Sequence, residues 1–330
     1  MNDQDQVGYI VFSLDTELAT GSFDKDEARA KKFSPDGSRE RRAITCLLDM
    51  LDEFNITATW AIVGHIFYKQ CEECEICPIL AWKGIYKSFD DVYHTNHPLW
   101  YGGDIIETLI ARSANKHEIG CHGYTHMLFD EKIMDKQQAK IEIQEWLRVV
   151  KRYNIIPRTV IFPRDFIGHL DLFEKAGFTN YRSVVHYPLT VRNKYFGKFV
   201  KTLDYILSIS TPPVYDLDDV EINGMVNFRE SEYLFGFNRK VDLWLDVHNL
   251  YKLRLKRVIR GIIKAAEEKK IFHLWAHPWE FSTEKDFLKL RYIFNYAAQE
   301  VKKGRLKSIG MADLAEIVQK RRGGNSQMHR

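Results

Sequence analysis

The 330-residue chain has no apolar run of membrane-spanning length, which argues against an integral membrane protein. It has no large charge excess either. Forty-eight Lys and Arg face 45 Asp and Glu for a net of +3, short of the surplus that a dedicated nucleic-acid binder carries. Cysteine is scarce and odd in number, five in all, which fits reduced thiols better than a disulfide framework. Three of the five lie in Cys71-Glu-Glu-Cys74-Glu-Ile-Cys77, a spacing that can serve zinc or part of an iron–sulfur site. A fourth ligand is not evident, so an uncommitted, redox-sensitive loop is expected there. No Gly-rich phosphate loop follows the first strand-like run, which removes the main sign of an open dinucleotide-binding sheet. Internal repeats and low-complexity linkers are missing too, and one domain over residues 1–330 is expected. The N-terminus, Met1-Asn-Asp-Gln-Asp-Gln, is polar and acidic, so the default expectation is a soluble cytoplasmic protein.

What is present is a large core: 45% of residues are apolar and 13% aromatic, well outside the range of disordered chains. Read for period, strands and helices alternate. Strand-like runs cover 7–15, 56–64, 117–121, 158–162, 178–185 and 271–276; helical patterns cover 38–54, 104–114, 130–153, 170–176, 250–269, 286–301 and 311–320. The run ITATWAIVG at 56–64 is nearly all apolar, as a strand covered on both faces should be. Alternation of this kind implies parallel pairing with right-handed crossovers, and a (β/α) barrel, irregular and with fewer than eight strands, is the better fit. Residues 67–103 and 187–240 break the pattern and are expected to be insertions that shape a cleft.

The stretch His117-Glu-Ile-Gly-Cys-His122-Gly-Tyr-Thr-His126 carries the most chemistry. Two imidazoles four residues apart, just past a strand-like run, can turn toward one divalent ion of the zinc class. The same spacing also arises by chance on helices. It gains weight because polar residues stand at other strand ends: Asp15 and Glu17, then Pro163-Arg164-Asp165, then His277-Pro-Trp-Glu280. Barrel enzymes collect their catalytic groups on that one face.

At these residues the chain resembles the polysaccharide deacetylase family, also called the NodB-homology or carbohydrate esterase 4 group. The matching pieces are Phe12-Ser-Leu-Asp15-Thr-Glu17-Leu, Ala58-Thr-Trp-Ala-Ile-Val-Gly64, the histidine stretch, Phe162-Pro-Arg164 and His273-Leu-Trp-Ala-His277-Pro, in the family's order. The resemblance implies a distorted (β/α)7 TIM-like barrel and metal-assisted removal of an N-acyl group, usually acetyl, from an amino sugar. It implies one divalent metal, most simply zinc, on His122, His126 and a first-motif carboxylate. Many relatives have adjacent aspartates in that motif; here Thr16 intervenes, so Asp15 looks like the base and Glu17 the replacement ligand, with the exchange of roles left open. Arg164 would hold the base ionised, and His277 would protonate the departing amine.

The expected substrate is an amino sugar or glycan, nucleotide-linked or lipid-linked, in a cytoplasmic step of surface-polysaccharide biosynthesis. Nucleic acid is not an expected partner. The basic stretch 251–260 allows peripheral contact with anionic lipid, though a solvated helix face explains it as well. Two alternatives stay open: another metal-dependent amidohydrolase, such as a deformylase or cyclic-amide hydrolase, and a non-catalytic carbohydrate-binding relative. The joint presence of Asp15, Arg164 and His277 argues against the latter, because binding alone needs no acid–base set.

Overall fold

β1 (Gly8–Thr16) is buried at every position, as expected of a strand covered on both faces. In the computed structural model, which describes residues 7–22, 32–70, 98–113, 116–184, 204, 207–235, 239–248 and 250–327, it lies inside the sheet with a parallel neighbour on each side. On one side it pairs in parallel with β9 (Ile271–Ala276), on the other with β2 (Ala58–Ile62). Beyond β2 follow β3 (Glu118–Cys121), β4 (Thr159–Ile161) and β5 (Asn180–Ser183), each parallel to its neighbour.

The barrel closes through a broken strand. β7 (Met225–Arg229) pairs with β5, and β8 (Glu232–Tyr233) pairs with β9 at the opposite edge. Only Glu230 and Ser231 separate them, and their amides donate to Ser183 O at 2.9 Å and His273 O at 2.8 Å. With β7–β8 taken as one strand, β1, β2, β3, β4, β5, β7–β8 and β9 make the seven of the distorted barrel. β6 (Glu221–Asn223) forms an antiparallel hairpin on β7, and β10 (Leu306–Ser308) extends the first residues of β1.

This corrects one expectation. The stretch 187–240 was expected to be an insertion, yet it supplies a barrel strand. Its residues 185–203, and residues 71–97 with Cys71, Cys74 and Cys77, lie outside the described residues. β7 reads MVNFR and runs straight into the polar Glu230-Ser231-Glu232, so no unbroken apolar run marks the strand that it forms with β8.

The outer layer holds α1 (Ser38–Phe54), α2 (Gly103–Ser113), α3 (Lys136–Lys151), α4 (Leu170–Lys175), α5 (Arg239–Val247), α6 (Tyr251–Glu268) and α7 (Glu284–Lys302), while α8 (Met311–Gln327) packs on the interior cluster at the amino ends of the strands. Alternation along β1 splits the core in two. Ile10, Phe12 and Leu14 face the helices, whereas Tyr9 and Val11 face the interior with Val226, Ile271 and Leu314 of α8. Further along the interior face come Ser13 and Asp15, which meet His273 and Arg182. The amino ends of the strands are plugged with hydrocarbon, and the carboxyl ends hold the polar groups.

Candidate active site

Glu17 follows the last residue of β1, and the short turn Thr20–Ser22 folds back against it. A Cβ on Gly21 would stand 2.2 Å from the Glu17 carboxyl, so only glycine leaves the carboxylate room. His122 directly follows β3. Its Nδ1 lies 2.8 Å from the carbonyl of Ile161, which can only accept; Nδ1 therefore carries the proton and Nε2 of the neutral ring presents a lone pair. That Nε2 is 3.5 Å from Glu17 Oε2, and His126 Nε2 is 2.8 Å from the same oxygen.

The loop that aims His126 is held in an uncommon conformation, with φ of 72° at Gly123 and 68° at His126. A non-glycine residue there stores strain, which the surroundings must offset. Glu142 of α3 does so. Its carboxylate accepts from the amides of Tyr124 and Thr125, each at 2.9 Å, and from the Thr125 hydroxyl at 2.6 Å.

Ligand atoms of Glu17, His122 and His126 all lie within 4.8 Å of one another, and all three residues are buried. Burial opposes charge on Glu17, but the charge of His126 and His277 and hydrogen bonds from the rings of His122 and His126, all in their protonated forms, hold its carboxyl well below the usual range. Burial, partly countered by Glu17, pushes His126 below its ordinary value, so that ring is neutral near pH 7. One carboxylate beside two imidazoles is the donor set that a divalent transition ion takes, and these residues fit such a cation.

Asp15 is clamped by Arg182, not by Arg164. Both guanidinium ends of Arg182 reach its carboxylate at 2.7 Å. The same group donates to Ser13 Oγ at 3.2 Å, approaches Asp165 at 3.4 Å and lies 4.2 Å from the centroid of Trp275. Ser13 Oγ in turn sits 2.9 Å from Nε2 of His273, a ring that burial keeps neutral by lowering its pKa to about 3. Burial raises the Asp15 carboxyl, but Arg182, with His122 and His277, more than offsets that and leaves it below its ordinary value. Arg164 stands in the turn Pro163–Asp165 at the rim, with φ of 52°, and donates to the carbonyl of Gly21 at 3.0 Å. It braces the turn beside Glu17 instead of the carboxylate of Asp15. Arg182 carried one sequence signal that went unused: with Asn180 it alternates along a buried strand toward the barrel interior.

His277 completes the cluster. Nδ1 is 2.9 Å from Glu280 Oε2, and Nε2 is 3.8 Å from Glu17 Oε1. Burial would lower its pKa, yet Glu280 and Glu17 raise it to about 9. Its ring lies 5.3 Å from both Trp275 and Trp279, and Trp279 Nε1 donates to Glu17 Oε1 at 3.2 Å. Tyr233, stacked on Trp275 at 4.3 Å, also donates to Glu280.

No family model and no curated protein matches this chain. Solved structures do. A Mycobacterium smegmatis protein described as a polysaccharide deacetylase has a TM-score of 0.56 at 15% identity, over 96% of this chain and 92% of its own. PuuE allantoinase has a TM-score of 0.51 at 14% identity, over 95% of this chain and 90% of its own. At such identities the likeness is one of fold, and at that level the resemblance drawn from the motifs holds.

Proposed function

We propose that this chain is a metal-dependent N-deacetylase acting on an N-acetylated amino sugar, a single catalytic domain over residues 1–330 that serves surface-polysaccharide biosynthesis in the cytoplasm. The observation that carries the reading is the convergence of Glu17, His122 and His126 within 4.8 Å, with the Asp15–Arg182 and His277–Glu280 pairs beside them.

A divalent cation held by Glu17, His122 and His126, zinc or a similar transition metal, supplies polarisation of the amide carbonyl and acidification of water. Asp15, kept ionised by Arg182, takes the proton of the attacking water; each of its oxygens retains a lone pair that the guanidinium leaves unused. The Arg182–Ser13–His273 chain keeps that carboxylate from turning away. His277, protonated and backed by Glu280, gives its proton to the nitrogen as the C–N bond breaks, so a neutral amine departs. The products are acetate and the free amino sugar. Trp275 and Trp279 beside His277 offer aromatic faces for a sugar ring.

The fold likeness to an allantoinase favours one second reading, hydrolysis of a cyclic amide by the same acid–base pair. Product analysis separates the two. Protein loaded with zinc or cobalt should release acetate and an equal amount of amine from N-acetylated amino sugars, free or nucleotide-linked. Ring opening of a cyclic amide without acetate release from any sugar would give the second reading instead. Asp15→Asn should keep the cation and lose turnover; retained turnover would remove Asp15 as the base.

A further inference from the structure

Outside the site, α6 and α7 pack side by side on the barrel and leave a groove of about 650 Å³ between them. Its floor is hydrocarbon, from Leu255, Ile259, Leu288 and Tyr292, and five cations, Lys252, Lys256, Arg260, Lys285 and Lys289, line it with no acid among them. Lys289 is already paired with Asp246 at 2.5 Å, and Arg260 donates to Ser210 O at 2.9 Å. Lys252, Lys256 and Lys285 are exposed and make no ion pair among the described residues.

Apolar side chains in the groove and on the neighbouring helix α5 are exposed. Leu288 is 63% exposed and Tyr292 57%, while α5, tied to the groove by Asp246–Lys289, exposes Trp244 at 49% and Val247 at 75%. Hydrocarbon left exposed in and beside a groove marks a contact surface, and the charges along it select the partner. A second copy of this chain docked face to face would bring cation against cation, which disfavours a symmetric dimer. Hydrocarbon beside anionic groups is the chemistry that fits.

We propose that this face docks on the surface of a bilayer containing anionic phospholipid, with the three free lysines at the headgroups and Trp244, Val247 and Leu288 in the interfacial layer. The topology gives the docking a direction. α7 begins just after β9 and α6 ends just before it, so in a parallel barrel both helices start at the carboxyl ends of the strands, the end that carries His277. Docking through the first turns of these helices brings the mouth of the site toward the membrane. The proposal is independent of the chemistry assigned to that site.

The test is sedimentation of the full chain with phosphatidylcholine vesicles, with and without phosphatidylglycerol. Binding is expected only with the anionic lipid and should be lost at high salt. Each headgroup lysine is worth roughly fivefold in partition, so Lys252→Ala/Lys256→Ala/Lys285→Ala should weaken binding roughly a hundredfold. Leu288→Asp should weaken it as well. Both variants alter exposed side chains, and unchanged melting and unchanged turnover on a soluble substrate show that the fold and the site are intact. Absence of vesicle binding, equal binding to neutral vesicles, displacement by inorganic phosphate, or a dimer that covers the groove would each overturn the proposal.

Discussion

Arg182 sets the charge of Asp15, and its removal has a calculable consequence. Arg182→Met leaves a buried carboxylate without its partner, a loss of about 3–5 kcal/mol, and raises the carboxyl so that the base is less ionised at neutral pH. Arg182→Lys returns the charge without the two-pronged geometry, so it should recover part of the stability and little of the turnover, as denaturant titration and single-turnover rates would reveal. Arg164→Ala should act differently, loosening cation retention through the Gly21 turn while Asp15 stays clamped. Equal effects of the two arginines on Asp15 would sink this division of labour. Gly21→Ala pushes a methyl into the space of the Glu17 carboxylate and should empty the site of metal, read by elemental analysis, in a protein that still folds. His277 has a pH signature. Its pKa is raised from 6.5 to about 9, and an acid must be protonated to work, so turnover should fall as pH rises through that range. A cation on Glu17 cancels part of the attraction and brings the limb below 9. Glu280→Gln should move it lower still, and a limb that ignores Glu280 would take His277 out of the acid role. The histidines and first-motif carboxylates were legible in the sequence because they cluster at strand ends. The arginine was not, since Arg164 follows a strand and Arg182 lies inside one, and only pairing across the barrel distinguishes them.

Elements were legible wherever one face is continuously apolar. α1 spans residues 38–54 as its period indicates, because Ile44, Leu47, Leu48 and Leu51 form one buried stripe and Asn55 turns left-handed at the end. α3 is shorter than its periodic pattern: the Asp135–Gln138 capping box starts it at Lys136, where 130 was expected, since side-chain bonds to the first free amides outweigh propensity upstream. β7 and β8 were missed because the polar Glu230-Ser231-Glu232 interrupts the one strand that they form. α3 also separates stability from function. Asp135→Ala should cost about 1 kcal/mol with metal affinity untouched, because the cap faces solvent. Glu142, two turns along, ties α3 to the loop that carries His126, and Glu142→Ala should weaken metal binding roughly 10–100-fold, as loss of a ligand's supporting partner does. Calorimetric metal titration of the two variants compares them directly; equal affinities would mean that the loop holds its left-handed turn without help.

At the scale of the whole molecule the barrel is divided, apolar where α8 closes it and charged where the strands end. The charged end therefore contributes to stability in a way that depends on pH and on what it binds. Glu17 has a folded pKa well below its ordinary value of 4.5, so its contribution is complete above that value and is lost as pH falls toward the folded one. A cation binds only the assembled site, and at a hundred times its dissociation constant adds about 2.7 kcal/mol to folding. It also needs both imidazoles deprotonated, so the gain shrinks as acid protonates them. Thermal melts with and without zinc should then differ clearly at slightly alkaline pH and converge as pH falls, with chelator restoring the lower melting point throughout. His122→Ala should remove the zinc-dependent increment at every pH while the apo protein still melts cooperatively, because the apolar plug at the other end does not involve it. A melting temperature indifferent to zinc and chelator across that range would mean that the Glu17, His122 and His126 cluster does not hold a metal, and the deacetylase reading would fall with it.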